Sequence, residues 1–147
     1  MYKHLLVPVD GSPLTERAIT VSVALARQLG AEITGFIAAP LPPLPPGPRA
    51  SALHDADASE HEELTGAHAQ AVLARFEAAA RDAGVPFKGV HDQAARVDRA
   101  IIAAAESQGC DMIVMVTHGR GAFGEFLYGS QTKAVLAGSK LPLLVLH

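Results

Sequence analysis

Five short apolar runs, at residues 5–9, 32–39, 87–91, 112–116 and 141–146, alternate with stretches of helical period. This alternation limits the chain to one kind of architecture. Leu5-Leu6-Val7-Pro8-Val9 and Met112-Ile113-Val114-Met115-Val116 are apolar without interruption. Runs of that kind suit strands buried on both faces, as in a parallel sheet. Between the first two runs, Ser12 reads as an N-cap and Pro13 as the first helical residue. Leu14, Ala18, Val21, Leu25 and Leu29 then recur at helical spacing, and Gly30 closes the helix. The pattern continues as β-α-β-α-β-α-β-α-β over the chain. Strands alternating with helices predict a parallel sheet covered on both sides, joined by right-handed crossovers. With five strands this is an α/β fold of the doubly wound, flavodoxin-like class.

The interval between the second and third strands is the longest. It opens with Pro40-Leu41-Pro42-Pro43-Leu44-Pro45-Pro46-Gly47-Pro48, which suits neither helix nor central strand. An extended, polyproline-like connector is predicted at about residues 40–50. A long helix follows over residues 51–83. Its second half carries a buried stripe of Leu64, Ala67, Ala71, Val72, Phe76, Ala79, Ala80 and Ala83. Its first half is acidic and poor in apolar residues. His54, His61 and His68 stand seven apart and share one face. Successive members are separated by ~10.5 Å along the axis, too far for one metal ion to hold two of them. Asp57 and His61, at i and i+4, are the one pair able to chelate together, and a solvated face is the plainer account.

A length of 147 residues fits one domain spanning 1–147, with the proline-rich connector inside it. The net charge of −3 is too mild for a nucleic-acid or anionic-membrane partner. Cys110 is the single cysteine, which excludes an internal disulfide and a cysteine-built zinc site. The apolar run at 5–9 is shorter than a signal-peptide core of ~7–15 residues. No run approaches the ~18 residues of a membrane span. A cytoplasmic protein is the expectation.

The chemistry concentrates in the stretch from Val116 to Ser130, a glycine-rich loop between a strand and a helix. Such a loop turns its amides inward, and the helix behind it offers free N–H groups and a positive dipole end. Ser130 reads as the N-cap of that helix, which runs over residues 131–137. An anion, most often a phosphate, fits such a site. A plain capped turn is the structural alternative. The Walker pattern ending in Gly-Lys-Ser/Thr is absent. No Ser-His-Asp array and no pair of crevice carboxylates can be placed.

Gly119, nine residues, then Gly129-Ser130, together with Thr117-His118-Gly119-Arg120-Gly121, resembles the nucleotide-binding signature of the universal stress protein family. The first glycine of that signature falls on Val116, where this chain departs from it. The start, Leu6-Val7-Pro8-Val9-Asp10-Gly11-Ser12, and the end, Leu141 through Leu146, are also similar to the family, so the resemblance covers nearly the whole chain. It implies an adenine nucleotide alpha hydrolase-like sheet of order 3-2-1-4-5. In that order Asp10, ending the first strand, and Val116, ending the fourth, face one crevice at the reversal of strand order, where ligands of such sheets bind.

The resemblance also implies roles. Pro8, Val9 and Asp10 match positions at the nucleoside, and Ala38 matches one whose backbone lies by the adenine. Val116, His118, Gly119 and Arg120 match the loop at ribose and phosphates. Gly129, Ser130, Gln131 and Thr132 match the helix start that holds the phosphates. Each has a structural alternative: a helix cap for Asp10, a core position for Ala38, a loop brace for His118 and a solvated charge for Arg120. The implied ligand is ATP, with Mg²⁺ held by Asp10 through the phosphates. The implied assembly is a homodimer through the last strand. A nucleotide-binding stress-response module is the first reading. A slow ATPase or an adenylate-forming enzyme on the same fold is the alternative. A phosphoacceptor receiver, which needs an acidic cluster at the first strand, retains too few of its elements.

Overall fold

The computed structural model describes residues 1–40, 50–117 and 130–147, and of residues 40 and 50–65 the backbone alone. The elements follow in the order β1 (His4–Pro8), α1 (Leu14–Leu29), β2 (Glu32–Pro40), α2 (Ala50–Asp82), β3 (Phe87–Ala94), α3 (Val97–Ser107), β4 (Met112–Val116), α4 (Ser130–Gly138) and β5 (Leu143–Leu146). The five strands form one sheet in the order β3-β2-β1-β4-β5. Every neighbouring pair is parallel.

The pleat sorts the central strands into two cores. Leu5, Val7 and Val9 of the first strand, with Ile33, Ile37, Met112 and Val114, pack under α1 and α2. Leu6, Phe36, Ile113 and Met115 point the other way, onto Ile101, Ala104, Ala105 and Val135 of α3 and α4. Leu5, Leu6 and Val7 are all fully buried, so an uninterrupted apolar run is what β1 requires. Each such side chain contributes about 1.5–3 kcal/mol by leaving water.

At the amino ends of the strands, polar groups pin the sheet. Asp111 accepts the backbone N–H of Lys3 at 2.8 Å and that of His4 at 3.1 Å, which ties β1 to β4. The His4 ring lies 2.7 Å from Thr34 Oγ1 and 3.3 Å from Glu32 Oε1, across the β1–β2 pair. The buried Cys110 thiol is pushed up from its ordinary 9.0 to about 11, first by burial, with Thr34 opposing as a hydrogen-bond partner and Asp111 and Glu32 adding to the rise.

Several local expectations are corrected. The buried face of α1 is Thr15, Ala18, Ile19, Ser22, Val23 and Ala26. Leu14, Val21, Leu25 and Leu29 lie half-buried on its flank. Ala18, Ser22 and Ala26 alternate with Ile19 and Val23 on the buried face, and Leu25 and Leu29 pack against the same core from its flank. In α2, Ala67 and Ala71 are exposed, while Ala69 and Leu73 join Val72, Phe76 and Ala80 in the core. Leu64, His54 and His61 lie outside the described side chains. Pro40 belongs to β2 and pairs with Ala94, so the predicted connector begins one residue later than expected. The rest of it, residues 41–49, lies outside the described residues. The last strand is shorter than its apolar run. Leu141 donates its N–H to Ser139 Oγ at 3.0 Å and so remains in the turn.

Candidate functional site

The strand order reverses beside β1, and the carboxyl ends of β1 and β4 lie there side by side. One connection leaves β1 for the α1 face and the other leaves β4 for the α4 face. A crevice must open between them.

The β1 side is built from Pro8 to Thr15. Val9 is buried and donates its N–H to Phe36 O at 2.8 Å, carrying the β1–β2 pairing past the end of the strand. Asp10 follows and is exposed. Its Oδ1 accepts the N–H of Ser12 at 2.9 Å and the hydroxyl of Thr15 at 3.5 Å. Thr15 Oγ1 accepts the N–H of Gly11 at 2.9 Å. Gly11 adopts φ 80°, a conformation that side chains disfavour. Pro13 has helical dihedrals and no side-chain cap bond, so the expected cap through Ser12 is replaced by the Asp10–Thr15 pair. Asp10 thus holds the turn before α1 rather than capping the helix itself. It braces the turn through Oδ1, and the bracing fixes where its carboxylate stands.

On the β4 side, Val116 is the last strand residue and pairs with Leu146. It is half-buried and packs against the core under α1 and α2. No residue other than glycine has positive φ among the described residues, so Val116 keeps strand dihedrals. Thr117 is buried, donates its N–H to Leu146 O at 2.8 Å, and places Oγ1 3.2 Å from His147 Nδ1. The glycine loop thus leaves the sheet from an anchored residue.

Ser130 is the first residue of α4, with Ser130 and Gln131 exposed and Thr132 only 4% exposed. Ala38 is half-buried, pairs with Asp92 and packs against the α3–α4 core. His118, Gly119, Arg120 and Gly129 lie outside the described residues. The sites expected at Pro8, Val9, Asp10, Ala38, Val116, Ser130, Gln131 and Thr132 all lie at the carboxyl ends of β1, β2 and β4 or at the start of α4.

Asp92, a second strand-end carboxylate at this end of the sheet, lies two strands from β1, or about 10 Å at the usual strand spacing. Its Oδ1 accepts the N–H of Gln93 at 2.9 Å. It makes no acid–base pair with Asp10. Among the described residues, no group of three or more His, Cys, Asp or Glu side chains could hold a metal ion. What the arrangement offers is a fixed carboxylate on one wall and a helix N-terminus on the other. That combination suits a ligand with hydroxyl groups at one end and an anion at the other. Three participants escaped the sequence reading. Thr15 and Thr117 are common polar residues whose roles arise from tertiary placement. His68, on α2, reaches the Asp10–Gly11 turn from 58 positions away.

The family model of the universal stress protein family matches residues 1–147. A curated relative, the universal stress protein in QAH/OAS sulfhydrylase 3′region of Thermus aquaticus, is 32% identical over 147 residues, covering 100% of both chains. A universal stress protein solved in complex with cAMP superposes with a TM-score of 0.67 at 21% identity, covering 99% of this chain and 96% of that one. The universal stress protein of Archaeoglobus fulgidus in complex with dAMP gives 0.62 at 16% identity, covering 99% and 98%. At these identities the structural likeness is one of fold.

Proposed function

The chain belongs to the universal stress protein family, and we propose that it is an ATP-binding module that acts in stress response through ligand- or partner-dependent signalling. The observation that supports this reading is the placement of the Asp10 turn and the start of α4 at the same end of the sheet, where the strand order reverses. Two solved proteins of like fold hold adenine nucleotides, cAMP and dAMP, which supports the ligand class. The choice of ATP rests on the glycine loop, where Gly119 and Gly129-Ser130 keep the signature spacing.

In this reading Pro8, Val9 and Asp10 meet the nucleoside, and Ala38 lies by the base. Val116, His118, Gly119 and Arg120 border ribose and phosphates. Gly129, Ser130, Gln131 and Thr132 hold the phosphates through N–H groups and hydroxyls. Asp10 is the residue that would hold Mg²⁺ together with the phosphates, and the ion would neutralise phosphate charge there. The protein works in the cytoplasm as a homodimer joined along β5.

The separation of Asp10 and Asp92, among the described residues, supports binding over turnover. Phosphoryl transfer needs a group that positions the nucleophile as well as one that holds the metal. Purified protein should release an adenine nucleotide identifiable by mass. Titration calorimetry with ATP should give one site per chain, and timed phosphate release should stay near background. A correctly folded protein that binds no nucleotide would sink the reading. Rapid phosphate release would replace the binder by an ATPase.

A further inference from the structure

Helix α2 is pinned to the sheet by Ala69, Val72, Leu73 and Phe76, all buried. His68 precedes the first of these and lies four residues before Val72, on the same side of the helix. That position carries its ring over the β1–α1 turn. His68 Nε2 lies 3.5 Å from the carbonyl oxygen of Asp10. The ring also closes on Gly11. A Cβ at that glycine would come within 2.4 Å of Nε2, 2.7 Å of Cε1 and 3.3 Å of Val72 Cγ2. Gly11 thus presents bare backbone to an imidazole from a distant helix, at a turn whose φ of 80° already favours glycine.

The remainder of the turn is held from its own side. Asp10 Oδ1 is tied to Ser12 N–H and Thr15 Oγ1, and Gly11 N–H to Thr15 Oγ1. These bonds are all local and rotate with the turn as a unit. His68 ties the turn to α2, beside Val72, whose Cγ2 also faces Gly11, and Arg75, which pairs with Glu16 in the first turn of α1. The hydrogen bond is long, so the ring acts chiefly by packing and secondarily as a donor.

We propose that His68 is a positioning residue of the nucleotide crevice, clamping the Asp10–Gly11 turn from α2 so that the Asp10 carboxylate is held ready for the nucleoside. The proposal rests on the nucleotide reading above. His68 is exposed, yet its ring meets the Asp10 carbonyl and lies over Gly11 rather than standing free in solvent. Binding to a preorganised carboxylate avoids the ordering that a free turn would require. The clamp also makes the seating of α2 part of the affinity for the ligand.

A double-mutant cycle tests it, with ATP affinity read by calorimetry on full-length protein. His68→Ala should weaken binding roughly five- to tenfold, the scale of one hydrogen bond and its ordering. His68→Gln, which keeps an N–H donor, should recover part of that loss. In an Asp10→Ala background, His68→Ala should change affinity by less than about twofold, because the carboxylate it positions is gone. The His68 ring signals in NMR should shift during the titration with the same midpoint as the heat. Ala suits an exposed helix position, and His68→Asn serves as a second truncation if the first fails to fold. Undiminished affinity in a folded truncation overturns the clamp. So does an equal loss with and without Asp10, which would mark a merely structural role. Wild-type protein that binds no ATP overturns the nucleotide reading, and the clamp with it.

Discussion

Position 11 shows how narrowly a single residue is constrained. The φ of 80° there favours glycine, and a methyl group would require the His68 ring to shift. Gly11→Ala should therefore lower stability by about 1–2 kcal/mol from backbone strain alone, more if the ring must move. Urea unfolding measures this, and an unchanged midpoint would mean that the turn relaxes freely. Cys110 makes a second residue-scale case. Burial pushes its thiol to about 11, so near pH 8 it is protonated and slow toward thiol reagents until the protein unfolds. The sign of the linkage is fixed by that direction. The folded state holds the proton more tightly than the unfolded chain. The contribution to stability is complete below an unfolded value of 9.0 and is lost as pH rises toward about 11. The stability difference between wild type and Cys110→Ala, followed by urea unfolding from pH 8 to pH 11, should move steadily against wild type. A constant difference would contradict the burial argument.

At the scale of elements, the alternation of apolar runs and helical stretches foretold the order of all nine elements in the described chain and the class of sheet they form. Hydrophobic periodicity carries that information because strands buried on both faces admit few polar residues. It carried less about which face of α1 is buried. The half-buried leucines and the buried face of Ala18, Ile19, Ser22, Val23 and Ala26 both have helical period, so period alone does not choose between them. Position was legible at the strand ends, for Val116 closing β4 and for Asp10 two residues beyond β1. The site was illegible where contacts cross the chain, as from His68 to Gly11 or from Thr117 to His147. Val116 carries the prediction at this scale. It pairs with Leu146 and packs on the core, so β4 keeps a side chain where the family signature has glycine. Val116→Gly should tighten ATP binding by about 1–2 kcal/mol, roughly five- to thirtyfold, by baring the backbone beside the sugar. It should also lower stability, since strand glycine and lost burial both count against the fold. Calorimetry and urea unfolding of the same pair of proteins separate the two effects, and equal affinities would show the valine to be silent toward the ligand.

The whole molecule presents two sheet edges, and they differ in kind. Edge strand β3 carries exposed Lys88, His91 and Asp92, and such polar residues discourage another chain from pairing. Edge strand β5 is Leu143-Leu144-Val145-Leu146, each half-buried. Leu143 packs on the α3–α4 core, and Leu144 and Leu146 on the α1–α2 core. Val145 belongs to neither core cluster, yet stands on an apolar edge whose outer backbone groups have no neighbouring strand among the described residues. A second copy pairing along β5 would satisfy that edge and cover Val145. Light scattering at micromolar concentration should then give twice the chain mass. Val145→Lys should shift the protein toward monomer while leaving circular dichroism and the unfolding cooperativity of the chain intact, because the side chain supports neither core. A monomeric wild type would remove β5 as an interface. A Val145→Lys protein that remains dimeric would move the interface to another face of the molecule.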